Sequence, residues 1–394
     1  MEIVEGVHWV GVVDKEIRSL YGQEIPVSRG TSFNVYLLLD KRIVCAGAVR
    51  NGYVDRILEN IGRIVDPARI DYLVFKQLEL NETAALARLQ RAIPSAQLLV
   101  PGAALRSFGS RQQRLWPNRE IVSGNRLPLG NMELVLYESA GLPWPDSMLM
   151  YEPGRKLLVS EHLFGQHNAS FGRFDDQVDR EELLDEALRY YVNMFAPCGD
   201  RVQEALKRIT GPGVPVDTIL PFHGVVWRSN AAGIVRHYRR WTEQSPDKKA
   251  VIVFETMLKS TQYMAEAVAR GLAGEGVACR MFRVSASNRD EILAEVFRAK
   301  ALIVGSPTLH RRLLPSIVPL LESLKGLRLR NRVGAAFGSY GWSGEALQQL
   351  ERWLADCGIS LAAEGVLAKL RPSSYDLKKC EELGRRVAQM VKNS

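Results

Sequence analysis

Hydroxyl side chains follow a short apolar run in residues 251–264, which read VIVFETMLKSTQYM. The apolar run is rich in β-forming residues and predicts a strand, and an amphipathic helix is predicted to begin at Lys259 or Ser260. The turn between them offers the hydroxyls of Thr256, Ser260 and Thr261 and the N–H groups of a helix N-terminus, and such groups bind phosphate monoesters. An ordinary capped helix also begins with Ser or Thr, so the turn indicates a phosphate site without requiring one.

Two later segments repeat the arrangement of a buried strand followed by a loop. Residues 301–308 read ALIVGSPT, and residues 334–346 read GAAFGSYGWSGEA. In a parallel sheet the three loops would meet at one carboxyl edge, where doubly wound folds bind their ligands. The first loop is expected to hold a phosphate and the other two a flat ring. The expected binding residues are Thr256, Met257, Leu258, Lys259, Ser260, Thr261, Ser306, Pro307, Thr308, Leu309, His310, Gly338, Ser339, Tyr340, Gly341 and Trp342.

The first loop resembles the FMN-phosphate loop of flavodoxins, which usually reads Ser/Thr-x-Thr-Gly-x-Thr. Lys259 stands where that loop has its glycine. A lysine is electrostatically favourable beside a phosphate, but it lacks the backbone freedom of glycine. The resemblance implies one FMN per chain and five parallel strands in the flavodoxin order. FAD is not expected, because the sequence has no Gly-x-Gly-x-x-Gly pyrophosphate turn. The alternative is an α/β domain without a cofactor.

The chain has 394 residues, 46% of them hydrophobic and 24% charged, which is an ordinary globular composition and enough for two domains. The amino terminus has no basic and apolar signal pattern, and no apolar run approaches the length of a membrane span. These features predict a cytoplasmic protein that does not associate with a membrane. The polar stretch TEQSPDKK at 242–249 predicts a boundary between domains at 1–246 and 247–394.

The five cysteines are scattered and include no Cys-x-x-Cys pair. This argues against a disulfide framework, an iron–sulfur cluster and a zinc ribbon, and it favours buried free thiols.

Basic residues cluster at 236–240, 310–312 and 325–332, and the net charge is +8. No nucleic-acid-binding module accompanies these clusters, so nucleic acid is not an expected partner. A basic rim near a redox centre would instead attract an acidic redox protein, donor or acceptor. Solvated helix faces are the alternative reading of the same clusters.

The first two-thirds of the chain mixes neighbouring strands with helices, which favours a layered sandwich over a simple βαβ winding. The predicted strands are 35–39, 43–45, 72–75, 97–100, 133–137 and 157–159, and the predicted helices are 54–64, 83–91, 181–195 and 201–208.

Several phrases resemble the flavodiiron proteins, also called A-type flavoproteins, in order and spacing over nearly the whole chain. Besides the three flavin loops, they are RGTSFNVYLL at 29–38, LPWPDSM at 142–148, FGQH at 164–167 and PFHGVVWR at 221–228. The resemblance implies a metallo-β-lactamase-like αβ/βα sandwich followed by a flavodoxin-like doubly wound sheet. Typical members form head-to-tail homodimers, bring the FMN of one subunit to the diiron site of the other, and reduce dioxygen or nitric oxide. His310 stands where the family often has asparagine, so it either contacts the flavin edge or is an exposed surface histidine.

The family's first ligand cluster, His-x-Glu-x-Asp-His, is largely replaced in this sequence. Gln77 occupies the position of the first histidine, and Glu79 retains the glutamate. Asn81 occupies the position of the aspartate, and Glu82 that of the second histidine. Lys76 adds a positive charge beside the cluster.

The later ligands also depart from the family pattern. Pro143 stands for the histidine before Trp-Pro-Asp-Ser, His162 stands for the bridging aspartate, and His223 keeps the last histidine. Two iron ions need anionic oxygen ligands, including a bridge, so a normal diiron centre is not expected. A zinc hydrolase site is not expected either, because it relies on a comparable histidine cluster.

The surviving donors form a remnant site at Glu79, Glu82, His162 and His223, with His167 close in sequence. They are expected to bond to one another in a pocket without metal, since buried polar groups need partners. A single ion held by two histidines and a carboxylate is the alternative.

The sequence therefore predicts an FMN-binding oxidoreductase or electron-transfer flavoprotein without a normal diiron centre. One alternative is a dioxygen or nitric oxide reductase with an altered or mononuclear metal site. Another is a non-catalytic subunit of a larger redox complex. The residues assign no catalytic group and name neither the electron donor nor the acceptor.

Overall fold

The structure is a computed structural model that describes residues 1–20, 25–75, 83–107, 116–211 and 214–393. The chain divides into two compact units, Met1–Thr242 and Glu243–Ser394. No helix in these ranges combines the length and the apolar character that crossing a membrane requires.

The first unit contains many short strands and a smaller number of helices. Its strands are β1 (Glu2–Val4), β2 (Val7–Trp9), β3 (Val12–Asp14), β4 (Ser19–Leu20), β5 (Ile25–Pro26), β6 (Thr31–Phe33), β7 (Val35–Leu39), β8 (Ile43–Gly47), β9 (Tyr72–Phe75), β10 (Gln97–Pro101), β11 (Asn118–Ile121), β12 (Arg126–Pro128), β13 (Glu133–Glu138), β14 (Met148–Glu152), β15 (Leu157–Glu161) and β16 (Thr218–Pro221). Its helices are α1 (Val54–Gly62), α2 (Thr83–Ala92), α3 (Gly102–Ser107), α4 (Arg180–Met194), α5 (Gly199–Ile209) and α6 (Ala231–Glu243).

Two sheets form the centre of this unit. One has the order β1-β2-β7-β8-β9-β10-β11 and is parallel from β8 onward, and the other has the order β12-β13-β14-β15-β16. Leu37 and Val44 of the first sheet belong to the same buried core as Leu136 and Met150 of the second. The sheets therefore share one core, and the predicted layered sandwich is confirmed.

The elements predicted in this unit are present with small changes at their ends. Strands β7 and β9 have the predicted bounds, and β15 continues two residues further, to Glu161. Helix α4 begins at Arg180 because Asp179 caps it, with its side chain accepting a hydrogen bond from the Glu182 N–H. Helix α1 ends at Gly62 instead of residue 64.

The second unit alternates strands and helices. Its strands are β17 (Asp247–Phe254), β18 (Cys279–Arg283), β19 (Ala299–Leu309), β20 (Arg312–Leu313), β21 (Val333–Tyr340), β22 (Ser360–Leu361) and β23 (Val366–Lys369). Its helices are α7 (Ser260–Gly274), α8 (Arg289–Arg298), α9 (Val318–Gly326), α10 (Glu345–Asp356) and α11 (Ser374–Lys392).

Parallel pairing gives this sheet the order β18-β17-β19-β21, and both β22 and β23 pair with β21 as two halves of a fifth strand. This is the flavodoxin order 2-1-3-4-5, as predicted. One feature differs from the sequence prediction, because β19 continues to Leu309 and turns back as β20. The segment that was expected to be an open loop is therefore a hairpin.

Helices α7 and α11 pack closely because glycines lie where they cross. A Cβ at Gly271 would lie 2.0 Å from the Glu381 carbonyl oxygen, and a Cβ at Gly384 would lie 2.2 Å from the Val268 carbonyl oxygen. No larger residue fits without moving the helices apart, so these glycines hold α11 against the helix that follows the first loop.

Candidate functional site

The loop after β17 turns into α7 through a left-handed residue. Lys259 has φ 66° and ψ −5° and precedes the first helical residue, Ser260. Glycine adopts this conformation readily, whereas other residues pay a steric cost. Lysine thus takes the backbone shape of the glycine it replaces, and the first N–H groups of α7, which have no acceptor within the helix, face the end of the loop.

Two hydroxyls predicted to bind phosphate have different surroundings. The Thr256 side chain is only 4% exposed, and its Oγ1 has no hydrogen-bond partner among the described residues. The Thr261 Oγ1 instead lies 3.0 Å from the Ser339 Oγ, which joins the first loop to the third. A buried hydroxyl without a partner indicates a missing ligand or water, so Thr256 is the group in this loop that is placed to bind one.

Glu255, which the sequence reading missed, anchors the same loop. Its carboxylate accepts hydrogen bonds from the Thr256 N–H at 2.9 Å, from the Ser285 N–H at 2.8 Å and from Arg283 Nε at 2.9 Å. Burial by itself would raise the pKa of Glu255, but these hydrogen bonds lower it overall below its ordinary value of 4.5. An acidic residue directly after a buried strand was the available signal, since a buried carboxylate needs several donors.

The second loop is the β19–β20 hairpin. Ser306 and Pro307 are buried, and the Ser306 Oγ accepts a hydrogen bond from the Leu314 N–H at 3.1 Å. At the tip, His310 and Arg311 have φ values of 49° and 61°, as both central residues of a type I′ turn require. The structure places the His310 side chain in an exposed position. The half-buried Thr308 Oγ1 accepts from the Ala346 N–H at 3.4 Å, which ties this loop to the third.

Large apolar side chains are exposed around the carboxyl edge of the sheet. Trp342 is 98% exposed and Leu258 is 85% exposed, and Met257 is also exposed. Leu370, which the sequence reading missed, follows β23, is exposed, and donates its N–H to the Tyr340 carbonyl at 2.7 Å. Grouped exposure of this kind is uncommon in monomers and marks a surface that another group covers.

The residues of this edge fit FMN. Thr256 and the start of α7 supply hydrogen-bond donors for a phosphate, and the apolar side chains supply surfaces for a flat ring. The predicted Gly338 and Ser339 are buried in β21, and Gly341 is half-buried beside Trp342. The three predicted loops thus lie at one edge, as the sequence reading expected.

Three buried histidines form a second polar cluster, in the first unit. The ring centroid of His223 lies 5.5 Å from that of His162 and 5.5 Å from that of His167. His223 Nδ1 donates to the Ser32 carbonyl at 2.8 Å, which sets its neutral tautomer. His162 Nδ1 lies 3.1 Å from the Tyr190 hydroxyl.

His167 is the third member of this cluster. Its Nδ1 lies 2.9 Å from the Thr31 Oγ1, and its Nε2 is buried without a hydrogen-bond partner in the described part of the chain. Burial, together with the neighbouring His223 and His162, lowers the pKa of His167 well below 6.5. The ring is therefore neutral at physiological pH.

The predicted remnant metal site is only partly described. Glu79 and Glu82, with Gln77 and Asn81, lie outside the described residues, whereas His162 and His223 lie together. Within the described ranges, no three His, Cys, Asp or Glu side chains gather with the spacing of metal ligands. His162 carries no carboxylate to bridge two ions, so the donors described do not fit a carboxylate-bridged pair.

Comparison with known proteins decides the family. Residues 252–384 match the flavodoxin family model. Over 391 residues the chain is 37% identical to a nitric oxide reductase of Moorella thermoacetica, covering 99% of this chain and 98% of that protein. The chain belongs to the flavodiiron protein family.

Other flavodiiron relatives agree in sequence and fold. The chain is 36% identical over 391 residues to the anaerobic nitric oxide reductase flavorubredoxin of Escherichia coli, covering 98% of this chain and 81% of that protein. Rubredoxin oxygen:oxidoreductase from Desulfovibrio gigas matches with a TM-score of 0.95 and 32% identity, covering 100% of this chain and 98% of that one. The flavodiiron protein from Giardia intestinalis matches with a TM-score of 0.93 and 25% identity, over 100% and 96% of the two chains. The predicted fold class and flavoprotein oxidoreductase character are confirmed.

Proposed function

We propose that this protein is an FMN-dependent electron-transfer oxidoreductase of the flavodiiron family without a normal diiron centre. The observation that carries the flavin part is the buried Thr256 hydroxyl, which has no partner among the described residues and lies at the turn into α7. That turn follows β17, which lies between β18 and β19 in a flavodoxin-ordered sheet, at the carboxyl edge where doubly wound folds bind their ligands.

The roles of the loop residues follow from their positions. Thr256 donates its hydroxyl to the FMN phosphate, and the N–H groups at the start of α7 donate to the other phosphate oxygens. Lys259 adds a positive charge near the phosphate. The loop from Pro307 to Leu309 and the loop from Tyr340 to Trp342 would hold the isoalloxazine ring. When bound, FMN supplies one- and two-electron transfer.

The metal part of the proposal rests on the substituted ligand positions. Pro143 has no side-chain donor, and His162 stands where the family has its bridging aspartate. Each described histidine of the pocket has a polar partner at Nδ1 within the protein, and such contacts hold an imidazole in place whether or not a metal is bound. A single ion held by His162, His223 and a carboxylate is the alternative.

Reduction of nitric oxide or dioxygen at an altered metal site is the second candidate function. It is favoured by whole-length similarity to proteins named nitric oxide reductase and rubredoxin oxygen:oxidoreductase. Identity of this extent is compatible with a changed reaction, because function depends on the site and not on the fold.

We also infer a head-to-tail homodimer and an acidic redox partner. The exposed apolar side chains Leu258, Trp342 and Leu370 surround the flavin edge, and a second subunit would cover them. Arg311 at the hairpin tip has a side chain that is 84% exposed, with its Nε 3.9 Å from Glu345 Oε1, and its charge would attract an acidic partner. The five cysteines are free, which supports a cytoplasmic location. We also propose the domain boundary between residues 246 and 247, just before β17 begins at Asp247.

One experiment tests the proposal and separates the two candidates. The purified protein is assayed for FMN and iron after growth with added iron, and its reduced form is then mixed with nitric oxide or with dioxygen. We expect about one FMN and well under two irons per chain, with reoxidation by an added redox protein. A colourless protein that stays colourless with FMN contradicts the flavin assignment, whereas two tightly bound irons with turnover on nitric oxide support the second candidate.

A further inference from the structure

Arg173 carries a buried positive charge in the first unit. Its side chain is 7% exposed, and its Nε and Nη1 have no hydrogen-bond partner in the described part of the chain. Its Nη2 donates to the Ser170 carbonyl. At least three of the five N–H bonds of the guanidinium, one on Nε and two on Nη1, therefore have no acceptor among the described residues.

The surroundings hold this arginine in place without neutralising it. The Arg173 N–H donates to Gln177 Oε1 at 2.9 Å, and its carbonyl accepts from the Val226 N–H at 2.8 Å. The guanidinium carbon lies 5.5 Å from the centre of the Trp9 ring, a cation–π contact with one face of the group. The in-plane N–H bonds are not satisfied by that contact.

Nearby polar groups are already engaged with other partners. The Trp9 Nε1 donates to Asn34 Oδ1 at 2.9 Å, and the Tyr36 hydroxyl donates to the Pro221 carbonyl at 2.7 Å. The carboxylate of Asp175, two residues along the chain, accepts the N–H groups of residues 228–230. No described carboxylate lies within ion-pair distance of Arg173.

A guanidinium cannot remove this charge by losing its proton at physiological pH, even though burial lowers its pKa. A buried charge without an ion or hydrogen-bond partner is strongly unfavourable, and buried polar groups in native proteins are nearly always satisfied. An anion beside Nε and Nη1 would meet both requirements.

We propose that the unpartnered Nε and Nη1 of Arg173 bind a small carboxylate-type oxyanion next to Trp9. A planar oxyanion matches the planar fork of an arginine, since two oxygens can accept parallel N–H bonds. Because Arg173 is only 7% exposed, the ligand must be small enough to reach a buried side chain. Arg173 belongs to the first unit and the flavin loops belong to the second, so this proposal does not rest on the proposed electron-transfer function.

The test measures thermal unfolding of the full-length protein in formate against the same ionic strength of a bulky sulfonate buffer salt. For a dissociation constant of about 10 mM, we expect the midpoint to rise by roughly 3–5 °C between about 1 and about 100 mM formate. Arg173→Met should abolish this rise. Arg228→Met is the matched control and should keep it, because Arg228 is exposed and already paired with Asp176.

A direct measurement keeps the proposal testable if Arg173→Met fails to fold. The proton signal of formate should broaden on adding wild-type protein, and Arg173→Lys, which keeps the charge but loses the fork, should weaken that effect severalfold. Equal unfolding midpoints in formate and sulfonate, without broadening, would show that only water fills the site. The same rise of the unfolding midpoint in Arg173→Met as in wild type would show that formate acts elsewhere. Each of these two outcomes overturns the proposal.

Discussion

Substitutions at Lys259 separate the effect of backbone strain from the effect of charge at the proposed phosphate loop. Its φ of 66° lies in the left-handed region, where a residue with a Cβ costs about 1–2 kcal/mol. Lys259→Gly removes that cost but makes the unfolded chain more flexible, which offsets about 0.4–1 kcal/mol. The net expectation is a gain in the stability of the apoprotein of about 0–1.6 kcal/mol, centred near about 0.8 kcal/mol, which raises its unfolding midpoint by roughly 2–3 °C.

The same substitution should weaken FMN binding. A lysine about 4 Å from a charge in water contributes about 1 kcal/mol, which corresponds to roughly fivefold in the dissociation constant. This contribution should shrink at high salt, because the Lys259 side chain is exposed and its charge is screened. Glycine therefore raises apoprotein stability and lowers FMN affinity together.

Lys259→Gln is the matched control, since it removes the charge and keeps the left-handed residue. We expect its apoprotein midpoint to stay within about 1 °C of wild type, and its FMN dissociation constant to rise about fivefold. Riboflavin, which lacks the phosphate, should bind equally to wild type and Lys259→Gln. FMN and riboflavin affinities are measured by quenching of flavin fluorescence during titration.

Two results would refute this reasoning. Apoprotein of Lys259→Gly that is less stable than that of Lys259→Gln would show that the left-handed residue is not strained. Equal losses of FMN and riboflavin affinity in Lys259→Gln would show that the charge does not act on the phosphate.

Further expectations concern the same unit. Thr256→Val should weaken FMN about tenfold and leave riboflavin unchanged in fluorescence titrations, because only the buried hydroxyl is lost; equal weakening of both would contradict the phosphate role. The pKa of Glu255 is lowered in the folded protein, so its contribution to the stability of the loop is complete above pH 4.5 and is lost as the pH falls through the lower folded pKa. Acid should therefore release FMN from the wild-type protein. Glu255→Gln should lack that pH dependence. Gly384→Ala should lower the free energy of unfolding by about 2 kcal/mol, because the added Cβ meets the Val268 carbonyl. Gly274→Ala should raise it by about 0.5–1 kcal/mol, because no atom lies within 4 Å of the added Cβ. Similar thermal unfolding midpoints for the two variants would contradict the close helix contact.

Regular elements were predictable because apolar residues recur with the period of the element. The run VYLLL gives β7 its predicted bounds, and the strand before Thr256 lies between β18 and β19, as the predicted flavodoxin order requires. Ends were less predictable, since they depend on partners elsewhere in the fold. Strand β15 continues to Glu161, whose backbone pairs with Pro221 of β16, a residue 60 positions away.

The β19–β20 hairpin shows why the flavin loops were predicted only in outline. A two-residue type I′ turn is usually signalled by Asn or Gly, but here the turn residues are His310 and Arg311. Local preference therefore disagrees with the backbone that the fold imposes. Likewise, nothing beside Glu255 in the sequence indicates that Arg283, from the neighbouring strand, completes its ion pair.

In the histidine pocket, a residue that matches a metal ligand of the family does not by itself show that a metal is bound. His223 holds its place through the Ser32 carbonyl, His167 through Thr31, and His162 through Tyr190. Such contacts orient a metal ligand, but they also satisfy a buried imidazole in the absence of metal. The bridging position is more informative than the retained histidine, because an imidazole there lacks the carboxylate charge that two iron ions require. His162 and Pro143 therefore support a changed metal site, and the retained His223 does not weigh against it.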